Sequence, residues 1–302
     1  MKLDVKIGKM QMKNPVMTAS GTFGYGQEYA EFFDLSELGA INVKGISLNP
    51  MAGNPAPRIC ETPCGMINSI GLQNVGLEGF LSEKLPYLRN FRTNIVANVL
   101  GNTIDEYIEI SERLDSEDID AIELNVSCPN VKQGGISFGV DFLQLRKLLM
   151  AVRSVVKKKT LIVKLSPNVT DIRIFARTAE DEGADAVSMI NTVMAMSINV
   201  KTRKSRIASM IGGLSGPAIR PVAVRMVWEV HNAVKIPIIG MGGIMTYEDA
   251  LEFILAGATS VAVGTANFID PISSLNIING MREYMSINNV ADIHDLIGGV
   301  NE

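Results

Sequence analysis

Histidine, cysteine and long apolar runs are scarce in this 302-residue chain, and each scarcity removes a class of function. Three cysteines, Cys60, Cys64 and Cys128, cannot build a disulfide framework, and the odd count leaves at least one thiol free, which fits a reducing compartment. Cys60 and Cys64 have neither the spacing nor the partner ligands of a zinc site, so no metal is expected. Of the two histidines, His231 falls in a surface helix and His294 in the tail, which takes away the commonest general base. No apolar stretch is long enough to span a bilayer, and the first ten residues alternate charge and apolarity where a leader would place a basic patch and an apolar run. With a net charge of -4 and no basic stripe interleaved with aromatics, a dedicated polyanion-binding surface is not expected. These absences describe a cytoplasmic protein engaging neither membrane nor nucleic acid. No linker, repeat or composition shift divides the chain, so residues 1–302 read as a single domain.

What is present is an alternation of short β-rich apolar runs with longer segments of helical periodicity, the pattern of parallel strands with crossover helices. Eight such runs occur, near residues 16, 41, 95, 122, 162, 187, 238 and 261. Most are apolar throughout, as strands buried on both faces require, and eight suggests closure into a (β/α)8 barrel of the α/β class. Intervening segments such as IDEYIEISERL, DIRIFARTAEDEG and TYEDALEFILAGA carry apolar residues at three- and four-residue spacing. Thr170 and Thr246 sit where N-caps belong, and Gly183 and Gly257 where left-handed C-caps do. The opening LDVKIGKMQMKNP reads as a hairpin plugging the N-terminal end of the barrel.

Three long excursions follow strand C-termini: residues 46–76, residues 128–141 with Gly134, Gly135 and Gly139, and residues 193–217 ending in GGLSGPA. Connections of such length are usually functional, and a barrel does its chemistry at that face. GMGGI after the seventh run and VGTANF after the eighth place glycines where backbone N–H groups can approach a phosphate. Lys44 and Lys164 close the second and fifth runs, where two cations call for an anion or, alternatively, one lysine for a Schiff base. Asn68, Asn98, Asn125 and Asn191 supply amides suited to a neutral ring such as a pyrimidine or flavin. Cys128, in NVSCPNVKQGG, follows the fourth run, and a thiol with an ordinary pKa of ~8.5 can act as a base near neutrality if its surroundings lower that value.

NPVMTASGTFGYG, KGISLNPMAGNPAPRICETPCGMINSIGLQN, ELNVSCPNVKQGG and GMGGIMTYEDALEFILAGATSVAVGT together resemble the class 1 dihydroorotate dehydrogenases, and within them the class 1B catalytic subunits, over essentially the whole chain. The resemblance implies oxidation of dihydroorotate to orotate in pyrimidine biosynthesis. It assigns FMN to Ser20, Lys44, Gly45, Asn98, Asn125, Lys164, Ile190, Gly216, Gly242, Gly243, Gly264 and Thr265. The substrate ring falls to Lys44, to Asn68, Ser69, Ile70, Gly71 and Leu72, and to Asn125, Asn191 and Thr192, with Cys128 as base and Lys164 offsetting charge on the reduced ring. It also implies a partner subunit carrying FAD and a 2Fe-2S cluster that reduces NAD, around a homodimer core of a heterotetramer. This chain has neither a cysteine cluster for an iron-sulfur centre nor a Rossmann fingerprint of its own.

The nearest alternative is the class 1A type, which uses fumarate and shares the cysteine base; the GISLNP and ETPCGMINSIGLQN stretches favour class 1B. A Schiff-base aldolase would use Lys164 beside the phosphate site, and a non-catalytic nucleotide-binding scaffold would need only the glycines and asparagines. Flavin-dependent reduction of uridine in RNA would call for a basic footprint that is absent.

Overall fold

The computed structural model describes residues 1–126 and 138–301. Two short antiparallel strands open it, β1 (Val5–Ile7) and β2 (Met10–Met12), turning at Gly8, whose φ of 58° favours glycine. Val5, Ile7, Met10 and Met12 are buried while Lys6 and Gln11 are exposed, the two-residue period of a sheet covered on one side. The Thr160 hydroxyl fastens this hairpin: it accepts from the backbone N–H of Lys9 (2.9 Å) and of Met10 (3.1 Å) and donates to the Ile7 carbonyl (3.3 Å).

Next along the chain come β3 (Val16–Thr18), β4 (Ala40–Asn42), β5 (Ile59–Thr62), β6 (Gly65–Asn68), β7 (Asn94–Val99), β8 (Ala121–Asn125) and β9 (Thr160–Lys164). After them follow β10 (Ala186–Met189), β11 (Val193–Ala195), β12 (Ile198–Asn199), β13 (Lys204–Ser205), β14 (Gly212–Ser215), β15 (Ile238–Met241) and β16 (Ser260–Val263). β3, β4, β7, β8, β9, β10, β15 and β16 form one closed, all-parallel barrel in sequence order, with β16 returning to β3. These are the eight apolar runs of the sequence. Because Thr160 begins β9, the opening hairpin lies at the N-terminal end of the barrel, as expected.

Helices pack outside the ring with their ends where the sequence puts them, with one exception. Thr246 caps Tyr247–Leu255 in a reciprocal capping box with Asp249, and Gly183 and Gly257 take φ of 84° and 112° just past their helices. The exception is Thr170. Helix Ile172–Asp181 is capped by Asp171, whose carboxylate accepts from Arg173 N at 3.0 Å. A carboxylate both satisfies a free N–H and sits favourably at the positive end of the helix dipole, so it displaces the neighbouring threonine. Among the described residues no helix is long and apolar enough to cross a membrane.

The excursions at 46–76 and 193–217, read from sequence as loops, contain strands and meet each other. β5, β6, β14 and β11 make a four-stranded antiparallel sheet in the order β11-β14-β6-β5, so two connections far apart in sequence are bonded together after the C-terminal ends of β4 and β10.

Candidate functional site

At the centre of the barrel lies a carboxylate that the sequence reading did not single out. Glu123 on β8 is fully buried. Its Oε1 accepts from Asn42 Nδ2 (2.7 Å) and Asn98 Nδ2 (2.6 Å), and its Oε2 accepts from Ser188 Oγ (2.6 Å). The bonds from β4 and β10 each skip an intervening strand, so they run through the lumen. Lys164, only 4% exposed at the end of β9, holds its Nζ 4.0 Å from Glu123 Oε1 and donates to Ser20 Oγ at 3.1 Å. The signal in the sequence was a lone charged residue inside the apolar run AIELNV, a placement that is costly without partners.

Above that layer the asparagines link up. Asn125 donates through Nδ2 to Asn98 Oδ1 (3.5 Å), and Asn191 donates to Asn125 Oδ1 (3.4 Å). Asn191 Oδ1 accepts from Thr192 N (2.8 Å), while the Thr192 carbonyl accepts from Asn168 Nδ2 (3.1 Å). Gly45 packs against this row, since a β-carbon there would sit 2.5 Å from Leu100 Cδ1 and 3.0 Å from Asn98 Oδ1. Asn68, ending β6, donates to the Gly213 carbonyl (3.3 Å), and Thr192 Oγ1 lies where a Gly213 β-carbon would go, which ties the added sheet to the mouth.

The segment after β6 turns through Gly71 and Leu72, both with positive φ (75° and 60°). Ser69 is buried there: its backbone N–H donates to the Arg58 carbonyl, its own carbonyl accepts from Asn54, and its hydroxyl has no partner among the described residues. Ile70, between them, lends its carbonyl to Asn54 N. Lys44 follows β4 and is half-buried. Burial, then repulsion from Arg58, push its pKa below the ordinary lysine value, with Glu28 pulling the other way.

The glycines converge elsewhere on the rim. Gly216, Gly242 and Gly243 have φ of 92°, 130° and 78°. A β-carbon on Gly243 would lie 2.7 Å from the Gly216 carbonyl oxygen, and one on Gly242 would lie 3.5 Å from Ile190 Cγ1. Thr265 Oγ1 donates to Ser215 Oγ at 2.9 Å, joining the segment after β16 to the residue before Gly216. A β-carbon on Gly264 would meet nothing closer than Ala19 Cβ, at 3.5 Å, among the described residues, so this position is uncrowded.

Ser20, Lys44, Gly45, Asn98, Asn125, Lys164, Ile190, Asn191, Thr192, Gly242, Gly243, Gly264 and Thr265 thus all stand at or just beyond the C-terminal ends of barrel strands, and Asn68 to Leu72 and Gly216 come from the excursions. Cys128, Gly134 and Gly135 lie outside the described residues. Cys60 is half-buried on β5 and Cys64 exposed beside the Gly216 turn.

The sequence matches the family described as Dihydroorotate dehydrogenase over residues 2–285. A protein of Thermodesulfovibrio yellowstonii named "Dihydroorotate dehydrogenase B (NAD(+)), catalytic subunit" is 58% identical over 301 residues, 99% of each chain. Proteins of the same name from Geotalea uraniireducens and Thermoanaerobacter pseudethanolicus are 54% and 52% identical over 299 and 300 residues, 99% of this chain and 98% and 99% of theirs. A match of that extent, on a barrel whose polar mouth is built from the very motifs that carry the likeness, means that the chain belongs to the dihydroorotate dehydrogenase family.

Proposed function

We propose that this chain oxidises dihydroorotate to orotate at the C-terminal mouth of its barrel, holding one FMN there and passing electrons to NAD through a separate subunit with FAD and a 2Fe-2S cluster. The observation that carries the reading is the joint arrangement of a buried cation, Lys164, bonded to Ser20, and a row of amides, Asn98, Asn125 and Asn191, beside it. A flavin presents a polar ring edge and a phosphate tail, and the mouth offers a match to each.

The residues fit that group at its phosphate end. Gly216, Gly242 and Gly243 form a close-packed cradle of positive-φ backbone in which a side chain on Gly243 would strike the Gly216 carbonyl, and Gly264 and Thr265 stand beside it. Backbone amides in such a cradle suit a phosphate. The substrate has its own observation: the hydroxyl of buried Ser69, in the Asn68–Leu72 segment assigned to the substrate ring, has no partner among the described residues, and such a group is costly until a ligand satisfies it.

When bound, FMN would supply a hydride acceptor facing carbon six of dihydroorotate. Cys128 takes the proton from carbon five, so that the two losses leave the double bond of orotate; this role rests on the sequence motif and on the absence of a histidine from the mouth. Lys164 keeps a positive charge where negative charge accumulates in the reaction, and the low dielectric of its buried setting strengthens that effect. Lys44 and Arg58, close enough to repel one another, offer cationic recognition to the substrate carboxylate. Asn125, Asn191 and Thr192 orient the ring through amide and hydroxyl bonds. The class 1A alternative shares the cysteine base and differs in its electron acceptor; the names of the relatives favour the NAD-linked form. We further propose that two copies of this chain form the core of a heterotetramer with the partner.

The purified protein is expected to be yellow, with a flavin absorbance that bleaches when dihydroorotate is added without oxygen. A colourless preparation that FMN cannot reconstitute refutes the proposal.

A further inference from the structure

We infer that Glu123 is the counter-ion of Lys164: a positioning residue that fixes the ammonium and the Asn98 amide and sets the net charge of the barrel mouth. The inference rests on the reading above that FMN binds there.

Its basis is the chemistry of the groups around one fully buried carboxylate. Asn42, Asn98 and Ser188 give it three hydrogen bonds of 2.6–2.7 Å, and the Lys164 ammonium stands 4.0 Å away. An ionised carboxylate can only accept, so the Asn98 NH2 must face inward and its Oδ1 is turned toward Asn125. Lys164 is held from two sides, by Glu123 below and by Ser20 across the mouth. An apolar side chain of similar size could pack the lumen without the desolvation cost of two buried charges. Retaining the pair therefore points to a use for its charges, and the use available at this position is electrostatic. The carboxylate cancels the ammonium, and a ligand that gains negative charge on reduction meets a neutral pair instead of a bare cation. Glu123 moderates the pull of Lys164 on electrons.

Glu123→Gln isolates the charge. The glutamine Oε1 can accept from Asn42 and Asn98, and its Nε2 can donate to a rotated Ser188 hydroxyl, so shape and bonding persist. Spectroelectrochemical titration of the FMN-loaded variant is expected to show a higher midpoint potential, by at least a tenfold shift in the oxidised-to-reduced equilibrium, about 30 mV for a two-electron couple. Glu123→Asp keeps the charge and is expected to titrate with the wild type even where it unfolds more readily. An unchanged midpoint in a Gln variant that retains FMN overturns the inference, as does an Asp variant that shifts as far as Gln. If the Gln variant does not fold, the double variant Glu123→Gln with Lys164→Gln, which buries no unpaired charge, is compared with Lys164→Gln alone; equal midpoints overturn the inference and a higher midpoint in the double variant supports it. Failure of the wild type to hold FMN is visible beforehand as a colourless preparation and counts against the proposed function instead.

Discussion

The ammonium of Lys164 donates to the hydroxyl of Ser20 at 3.1 Å; Lys164 ends β9 and Ser20 follows β3, strands that face one another across the ring. A bond spanning the mouth fixes both the cation and the first loop. It also places Lys164 directly above Glu123, so the two charges are energetically coupled.

Removing the cation should therefore be costly. Lys164→Met leaves Glu123 buried with its charge uncompensated, for which ~3–5 kcal/mol of stability is expected to be lost. Adding Glu123→Gln to that variant is expected to restore most of the loss. Chemical denaturation of the four proteins in the cycle measures it, and simple additivity would show the charges to be uncoupled.

The glycine cradle gives a second expectation. Gly243→Ala forces a β-carbon toward the Gly216 carbonyl at a φ of 78°, so backbone must move, at a cost of about 1–3 kcal/mol. FMN retention through gel filtration is expected to fall at least tenfold. Undiminished retention would take the phosphate away from this cradle.

Cys128→Ala is expected to keep its flavin colour but to bleach with dihydroorotate about a hundredfold to ten-thousandfold more slowly, the usual contribution of a positioned base. Stopped-flow absorbance reads the rate, and wild-type bleaching excludes Cys128 as the base.

Lys44 makes a pH prediction. Burial holds its folded pKa below the ordinary 10.5, with Arg58 adding to the effect, so between the two values the unfolded chain binds more protons than the native one. Stability from this site then rises with pH across that window, and below it the full cost of burying the ammonium is present. Lys44→Met is expected to be more resistant to denaturant at neutral pH, by a margin that shrinks as pH approaches 10.5, while binding orotate more weakly. Denaturant midpoints at several pH values test the first part, with a margin that widens as pH rises contradicting it.

At the opposite end of the barrel, Thr160→Val deprives the Lys9 and Met10 N–H groups of their acceptor. A loss of ~1–3 kcal/mol is expected, with no change in flavin spectrum or bleaching rate. A change in either would mean that the opening hairpin communicates with the mouth.

The eight barrel strands were legible because a strand buried on both faces is apolar through most of its length, as LIV in TLIVK and VAV in SVAV are. Rim glycines and lysines were legible for a related reason, since strand order puts each strand end on the same face. Glu123 was not, because a single acid in AIELN reads as an outward residue until its three donors and its cation are seen to converge. The strands β5, β6, β11 and β14 were missed too. Their burial is only partial, so they lack an apolar signature, and GMIN and GGLS find each other across a gap of more than a hundred residues that no local pattern reports. Thr170 lost its cap to Asp171 over a one-residue margin that periodicity does not resolve.

The sequence by itself determined the barrel and the family, because periodicity and motif are properties of neighbouring residues. Only the tertiary structure decided which polar groups meet inside. Hydrogen bonds and ion pairs act over about 3–4 Å, and that proximity between β4, β7, β8, β9 and β10 exists only once the ring has closed.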